Sequence, residues 1–210
     1  MTLTQSDPDH VVVLDCNIYL RTAELLQGNY GLDALRLKIR DEGGSASRSH
    51  EAASTLLTCY TGKFGPQERI AVFTSDHIVN TTRYIAELSE NAGPSSGLGL
   101  TTRASACFVD ALITKVQVDS GGICYSSSSH SVSDNPPLDY EDGRVYGLCT
   151  KLAGLYPLSK VWCVTLDKDF IAESAGLSRA GEVHVVTPSQ FMAAVRAKAF
   201  SALPPRLRPS

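Results

Sequence analysis

The residues best suited to chemistry in this sequence are carboxylates placed where regular elements begin or end. Asp15 closes the apolar run Val11-Val12-Val13-Leu14, with Asn17 two positions on. Asp139, Glu141 and Asp142 lie in LDYEDGRVYGLCTKLAG, and Asp167 and Asp169 follow Val161-Trp162-Cys163-Val164-Thr165. Two carboxylates about 5 Å apart repel by about 3 kcal/mol at an effective dielectric of about 20. A convergent set must therefore take up protons or hold a cation. An all-oxygen donor set suits Mg²⁺ or Mn²⁺. Such an ion orients a water, lowers its pKa and stabilises charge on a phosphoryl oxygen, which is the chemistry of phosphodiester hydrolysis. Each carboxylate also has a plainer use as a turn former or helix cap, and Asp142 could simply favour the dipole of its helix.

The elements that would position these groups can be read from the apolar pattern. The runs ending at Asp15 and before Asp167 are continuous rather than alternating, as are Ile70-Ala71-Val72-Phe73 and Val183-His184-Val185-Val186. Runs of this kind predict strands covered on both faces, as in a parallel sheet with helices either side. Helical spacing covers 17–27, 50–62, 76–90, 103–118, 142–154 and 189–200. The last two acids of the Asp139 cluster would open a helix with Val145, Leu148, Cys149 and Leu152 on one face. Alternating strands and helices mean an α/β fold. In an open parallel sheet, strand ends and the starts of the following helices share one edge, so Asp15, Asp142 and Asp167 can meet. Polar connectors fall at 41–49 and 91–101, and the low-complexity loop 119–137 ends in two prolines.

Composition narrows the class. At 210 residues and 43% hydrophobic, the chain can bury a core as one ordinary domain. No apolar stretch is long enough to span a membrane. The opening MTLTQSDPDH carries no basic run before an apolar core, so no signal peptide and a cytoplasmic location are expected. The six cysteines are scattered without a CxxC pair, which predicts reduced thiols, mostly in the core. His10, His77, His130 and His184 form no triad or zinc spacing, although His77, just after Ser75-Asp76, is a candidate for the cleft. A net charge of -3 exerts no global pull on nucleic acid. Local basic candidates are a rim of His50, Lys63, Arg69 and Arg83, and the C-terminal Arg196, Lys198, Arg206 and Arg208.

Taken in order, VVVLDCNIYL, LDYEDGRVYGLCTKLAG and VWCVTLDKDF resemble the PIN-domain nuclease family. The closing VVTPSQFMAAV is similar to the strand and last helix of the branch that includes toxins of bacterial toxin–antitoxin pairs. Leu14-Asp15-Cys16-Asn17 matches the family's opening motif, Asp139-Tyr140-Glu141-Asp142 its third, and Thr165-Leu166-Asp167-Lys168-Asp169-Phe170 its fourth. The resemblance implies a three-layer α/β/α sandwich with a central, mainly parallel sheet. It implies a single domain over 1–200 with insertions around 28–69 and 119–137, and a flexible basic tail over 201–210. It also implies Mg²⁺- or Mn²⁺-dependent cleavage of RNA, with Asp15, Asp142 and Asp167 as catalytic, metal-binding carboxylates and Asp169 as a further ligand. Asn17, Ser75, Asp139, Glu141 and Thr165 would then support the metal or face the substrate. The implied partners are an RNA substrate and an antitoxin protein, with a homodimer left open and no membrane.

One motif departs from the family. Its usual Glu stands six residues after a Ser; here Ser75 is followed at that distance by Thr81, next to Asn80. Asp76, Asn80 and Thr81 are the candidates to replace it, with Glu87 and Asp110 as more distant ones. The departure admits an alternative, a catalytically degenerate PIN-like module that binds RNA or protein. A phosphatase of the haloacid dehalogenase type fits less well, because it requires a second Asp where Asn17 stands.

Overall fold

The β-branched runs form the strands that their patterning predicts. A computed structural model describes residues 7–41, 47–90, 97–126, 138–177 and 183–202. Its strands are β1 (His10–Leu14), β2 (Ile70–Ser75), β3 (Cys124–Tyr125), β4 (Lys160–Val164) and β5 (Val183–Val186). They make one five-stranded sheet in the order β3-β2-β1-β4-β5, with every pairing parallel. All of β1 and β2 is buried, as expected for strands covered on both faces. Val11 pairs with Ala71 on one side and Val161 on the other, and Leu14 with Val164.

The helices are α1 (Cys16–Leu26), α2 (Leu32–Asp41), α3 (Arg48–Thr61), α4 (Asp76–Glu87), α5 (Thr102–Val109), α6 (Lys115–Asp119), α7 (Tyr140–Leu155), α8 (Lys168–Ser174) and α9 (Pro188–Ser201). A π-helical turn, Asp110–Thr114, joins α5 to α6, so the helix expected over 103–118 is one continuous rod with a bulge. Two neighbours in β4 show which layer each helix occupies. The Trp162 ring meets Phe191 of α9 edge-on at 5.5 Å, whereas the free Cys163 thiol lies beside that of Cys149 on α7. Successive strand residues point to opposite faces, so α9 and α7 lie on opposite sides of the sheet. Helix α3 packs against α1, α6 and α9 on the first side, and α7 covers β1, β4 and β5 on the second. The architecture is the expected α/β/α sandwich.

Residues 28–69 supply α2 and α3, which bury Tyr30, Leu32, Leu35, Ala52, Ala53, Leu56, Cys59 and Phe64 in the common core. The start of the 119–137 loop is structured by a close approach. Ser120 Oγ accepts from Val72 N at 2.9 Å, and a Cβ on Gly122 would lie 1.7 Å from the Val72 carbonyl oxygen. Only glycine lets the chain lie against β2 there, and β3 follows as an edge strand. Residues 127–137 of that loop, 42–46, 91–96, and 203–210 of the tail lie outside the described residues, and with them His130, Arg206 and Arg208.

The cysteine expectation is met only in part. All six thiols are free, but only Cys59, Cys149 and Cys163 are buried; Cys16 is intermediate, and Cys107 and Cys124 are exposed. No helix among the described residues is long and apolar enough to cross a membrane.

Candidate functional site

The strand order reverses direction beside β1, since the chain runs β1 to β2 to β3 on one side and then crosses to β4 on the other. Crevices at such a reversal, beyond the carboxyl ends of the strands, are where open α/β sheets bind ligands. Backbone pairing carries β1 and β4 up to that edge, with Asp15 N donating to Val164 O and Thr165 N to Val186 O, both at 3.0 Å. There a cleft of about 400 Å³ opens, lined by Asp15, Cys16, Asn17 and Leu20 of β1–α1, His77, Ile78, Thr81 and Ile85 of α4, Asp139, Glu141, Asp142 and Val145 of α7, and Asp167. Carboxylates from three distant parts of the chain thus share one cavity, five of them in all. Neither Lys nor Arg belongs to that lining among the described residues.

Helix ends partly offset this charge. Asp15, Asp139 and Asp167 are the N-caps of α1, α7 and α8, so the capping role is real. Three helix N-termini therefore point toward the carboxylates, where their partial positive charge favours anions. Capping does not occupy every oxygen. Asp15 is buried, and its Oδ1 accepts from Cys16 N at 2.7 Å. Its Oδ2 accepts from Asn17 Nδ2 at 2.6 Å and Thr165 Oγ1 at 2.7 Å. Asn17 also donates to Thr165 Oγ1 and accepts from Leu166 N, both at 3.0 Å, while Thr165 Oγ1 accepts from Asp167 N. Asp15, Asn17 and Thr165 thus lock the end of β1 to the turn after β4.

Asp167 spends Oδ1 on Asp169 N and Phe170 N, leaving Oδ2 without a hydrogen-bond partner among the described residues. The Asp142 carboxyl has none among the described residues; its backbone N–H is held by Asp139 Oδ1 at 2.9 Å. Burial, followed by the charges of Asp139, Asp15, Asp167 and Glu173, pushes the Asp142 carboxyl up to about 7. The Asp15 carboxyl is also raised, chiefly by burial, against the hydrogen bond from Thr165. His77 is held below its ordinary value by burial and by the nearby Arg144. It is therefore neutral at neutral pH and supplies no counter-charge.

The donor set tests the expected metal. Among the described residues no three His, Cys, Asp or Glu side chains are gathered closely enough to hold a metal ion together. Mg²⁺ does not require three, because it typically keeps several waters beside one or two carboxylates. Asp142 and Asp167 line the same cleft as the buried Asp15, and each has a carboxylate oxygen with no hydrogen-bond partner among the described residues. Hard oxygen donors and unbalanced negative charge fit a divalent cation of the Mg²⁺ or Mn²⁺ type.

Several expected site residues lie elsewhere. Each helical residue turns about 100° from the last, so α4 presents His77, Thr81 and Ile85 to the cleft and turns Asp76, Asn80 and Glu87 away. Of the candidates for the missing Glu, only Thr81 lines the cavity. Ser75 is buried as the cap of α4, accepting from Ile78 N at 3.3 Å. Glu87 is bonded to Ser105 of α5, and Asp110 lies exposed on the π-helical turn. Asp169 is exposed outside the lining, tied by its backbone to Asp167, and Thr165 is buried beneath the cleft. Three members of the expected basic rim lie away from the cleft lining: Lys63 and Arg69 pair through their backbones just before β2, at the opposite end of the sheet, and His50 contacts Ile39 O; Arg83 is exposed on α4 outside the lining. Sequence reasoning overlooked Glu173, whose charge reaches Asp142 from the short helix α8, and the apolar walls Leu20, Ile78 and Ile85. No family model matches the chain, and neither does any curated protein or solved structure.

Proposed function

We propose that this cleft is the active site of a divalent-metal-dependent ribonuclease of PIN-like type. The observation that carries the reading is the convergence of five carboxylates in one cavity without a lysine or arginine in the lining. A protein gathers like charges at this cost where a cation is to be held. RNA as the substrate rests on the three acidic motifs and their order along the chain.

Asp142 and Asp167 would hold the ion through their unpartnered oxygens, with the buried Asp15 in the same cleft. A bound Mg²⁺ or Mn²⁺ supplies a polarised phosphoryl oxygen and a water of lowered pKa. The protein's own groups do the positioning. Asn17 and Thr165 hold the Asp15 carboxylate in one orientation through two hydrogen bonds. The Asp167 backbone N–H, bonded to Thr165 Oγ1, fixes the turn after β4. Leu20, Ile78, Ile85 and Val145 form the apolar part of the wall and limit the water around the acids. The test is cleavage of single-stranded RNA in Mn²⁺ and in EDTA. Cleavage lost in EDTA and in Asp15→Asn supports the reading; cleavage indifferent to both removes it.

Thr81 favours a second reading. It stands at the family's Glu position and faces the cleft, but carries no charge. A PIN-like module that binds RNA or a protein without cutting would account for that residue. Calorimetric titration separates the two, because such a module would take up no divalent ion at millimolar concentration.

A further inference from the structure

The acidic cleft poses a problem for any nucleic acid, because its carboxylates repel the phosphates that must enter. Attraction at the mouth therefore has to come from something other than net charge. The first turn of α7 carries such a group. Tyr140 sits between Asp139 and Glu141, both of which line the cleft, and its side chain is 62% exposed. Its ring is nevertheless held on two sides. His77, on the facing wall, meets it at 6.3 Å between centroids with planes 84° apart. Arg144, one turn along α7, places its guanidinium carbon 5.3 Å from the ring centroid and donates to the phenol oxygen.

We propose that Tyr140 is a base-stacking platform at the cleft mouth, with Arg144 and His77 fixing its ring, and that the strand admitted is unpaired RNA. This rests on the reading of the cleft as an RNA site. A flat, solvent-facing ring held by its neighbours offers a surface on which any base can stack, because every base has a π-face. Bases in a duplex have both faces covered, so only a single-stranded segment presents one. Arg144 brings a positive charge beside that ring, which the described lining of the cleft lacks.

The experiment is fluorescence-anisotropy binding of a short labelled single-stranded RNA, and of an abasic oligonucleotide of equal length, with Ca²⁺ present. Wild type, Tyr140→Ala and Tyr140→Phe are compared, after circular dichroism has shown that each is folded. Tyr140→Ala is expected to weaken binding of the base-bearing strand about tenfold or more, to leave the abasic strand unchanged, and to be rescued by Tyr140→Phe. Equal affinity of wild type and Tyr140→Ala for the base-bearing strand overturns the platform, and so does an equal loss on both strands. Parallel assays of Mn²⁺-dependent cleavage keep the two readings apart. Base-dependent binding through Tyr140 without cleavage sinks the nuclease and keeps the platform, whereas cleavage without the Tyr140 effect does the reverse.

Discussion

The two ends of the parallel sheet are built on opposite principles. At the amino-terminal end, His10, Phe64, Trp162 and Phe191 form a buried aromatic cluster, with the His10 and Phe64 rings stacked at 3.7 Å. Its polar atoms are satisfied in sequence. Trp162 Nε1 can only donate, so His10 Nδ1 accepts its bond at 3.0 Å, and Nε2 carries the hydrogen given to Glu68 at 3.0 Å. Glu68 is in turn paired with Lys198. At the carboxyl-terminal end the donors are unevenly shared among the acids, and Asp142 has a side chain without a partner among the described residues. One end spends its polar groups on stability, and the other leaves them available to a ligand. That contrast within a single sheet locates function more firmly than any one motif.

Damage to the amino-terminal end should separate the two roles most sharply. Trp162→Ala empties a site that is 5% exposed and is expected to cost about 3–5 kcal/mol. Should that variant not fold, Trp162→Phe keeps the ring but strips His10 Nδ1 of its donor, at about 1–3 kcal/mol. Urea unfolding checks the loss, and cleavage per folded molecule should stay within about twofold of wild type. The next effect lies in the cleft. Asp15→Asn removes the buried carboxylate of the proposed site and turns an NH₂ toward Asn17 and Thr165. Removing outer partners of a metal site costs about 10–100-fold, so cleavage should fall by about that much here. A loss no greater than that seen on replacing an exposed acid such as Asp169 would mean that Asp15 is only a cap.

Much of this arrangement was legible before any coordinates. Strands β1, β2 and β4 announce themselves because both of their faces are covered, which leaves unbroken, mostly apolar runs, and the partly buried edge strand β5 carries a run of the same kind. Asp15 and Asp167 were legible for the same reason, as the first charges after those runs. Strand β3 was not, because two residues carry no period; it is placed by Ser120 and Gly122 against Val72. Helix α2 was missed since LDALRLKIRD buries only Leu32 and Leu35. Which of Asp76, Asn80 and Thr81 faces the cleft was legible only as a choice, and the phase of α4 turns Thr81 toward it. Tyr140 reads in the sequence as a spacer inside an acidic motif; its role emerges from His77, which belongs to another helix.

Position 81 offers a way to sharpen the contrast between the ends. Thr81→Glu adds a carboxylate at the place where the family carries one. The expected result is tighter divalent binding and cleavage raised about tenfold, roughly the 1.4 kcal/mol of one added charge-assisted contact, together with a metal-free fold that is slightly less stable. Titration calorimetry and the RNA assay check it together. Unchanged affinity would show that α4 contributes wall rather than ligand.

The smallest effect is also the most diagnostic, because pH should move the two ends in opposite directions. His10 is held below its ordinary value by burial, which outweighs its bond to Glu68. Its contribution is present above the ordinary histidine value and is lost as pH falls. Asp142 is raised from an ordinary 3.8 to about 7, so the folded state binds its proton more tightly than the unfolded chain does. Its penalty is absent below about pH 4, grows as pH rises, and is complete above about pH 7. Asp142→Asn should therefore gain little at pH 5. At pH 8 it should gain about 1 kcal/mol, after allowance for the screening of a half-exposed group, or about 2–4 °C in Tm. Mg²⁺ or Mn²⁺ should raise the wild-type Tm at pH 8 and leave Asp142→Asn nearly unmoved, since the cation relieves the repulsion that the substitution has already removed. An equal rise in both proteins would place the ion away from Asp142, and the unpaired charge would then need another explanation.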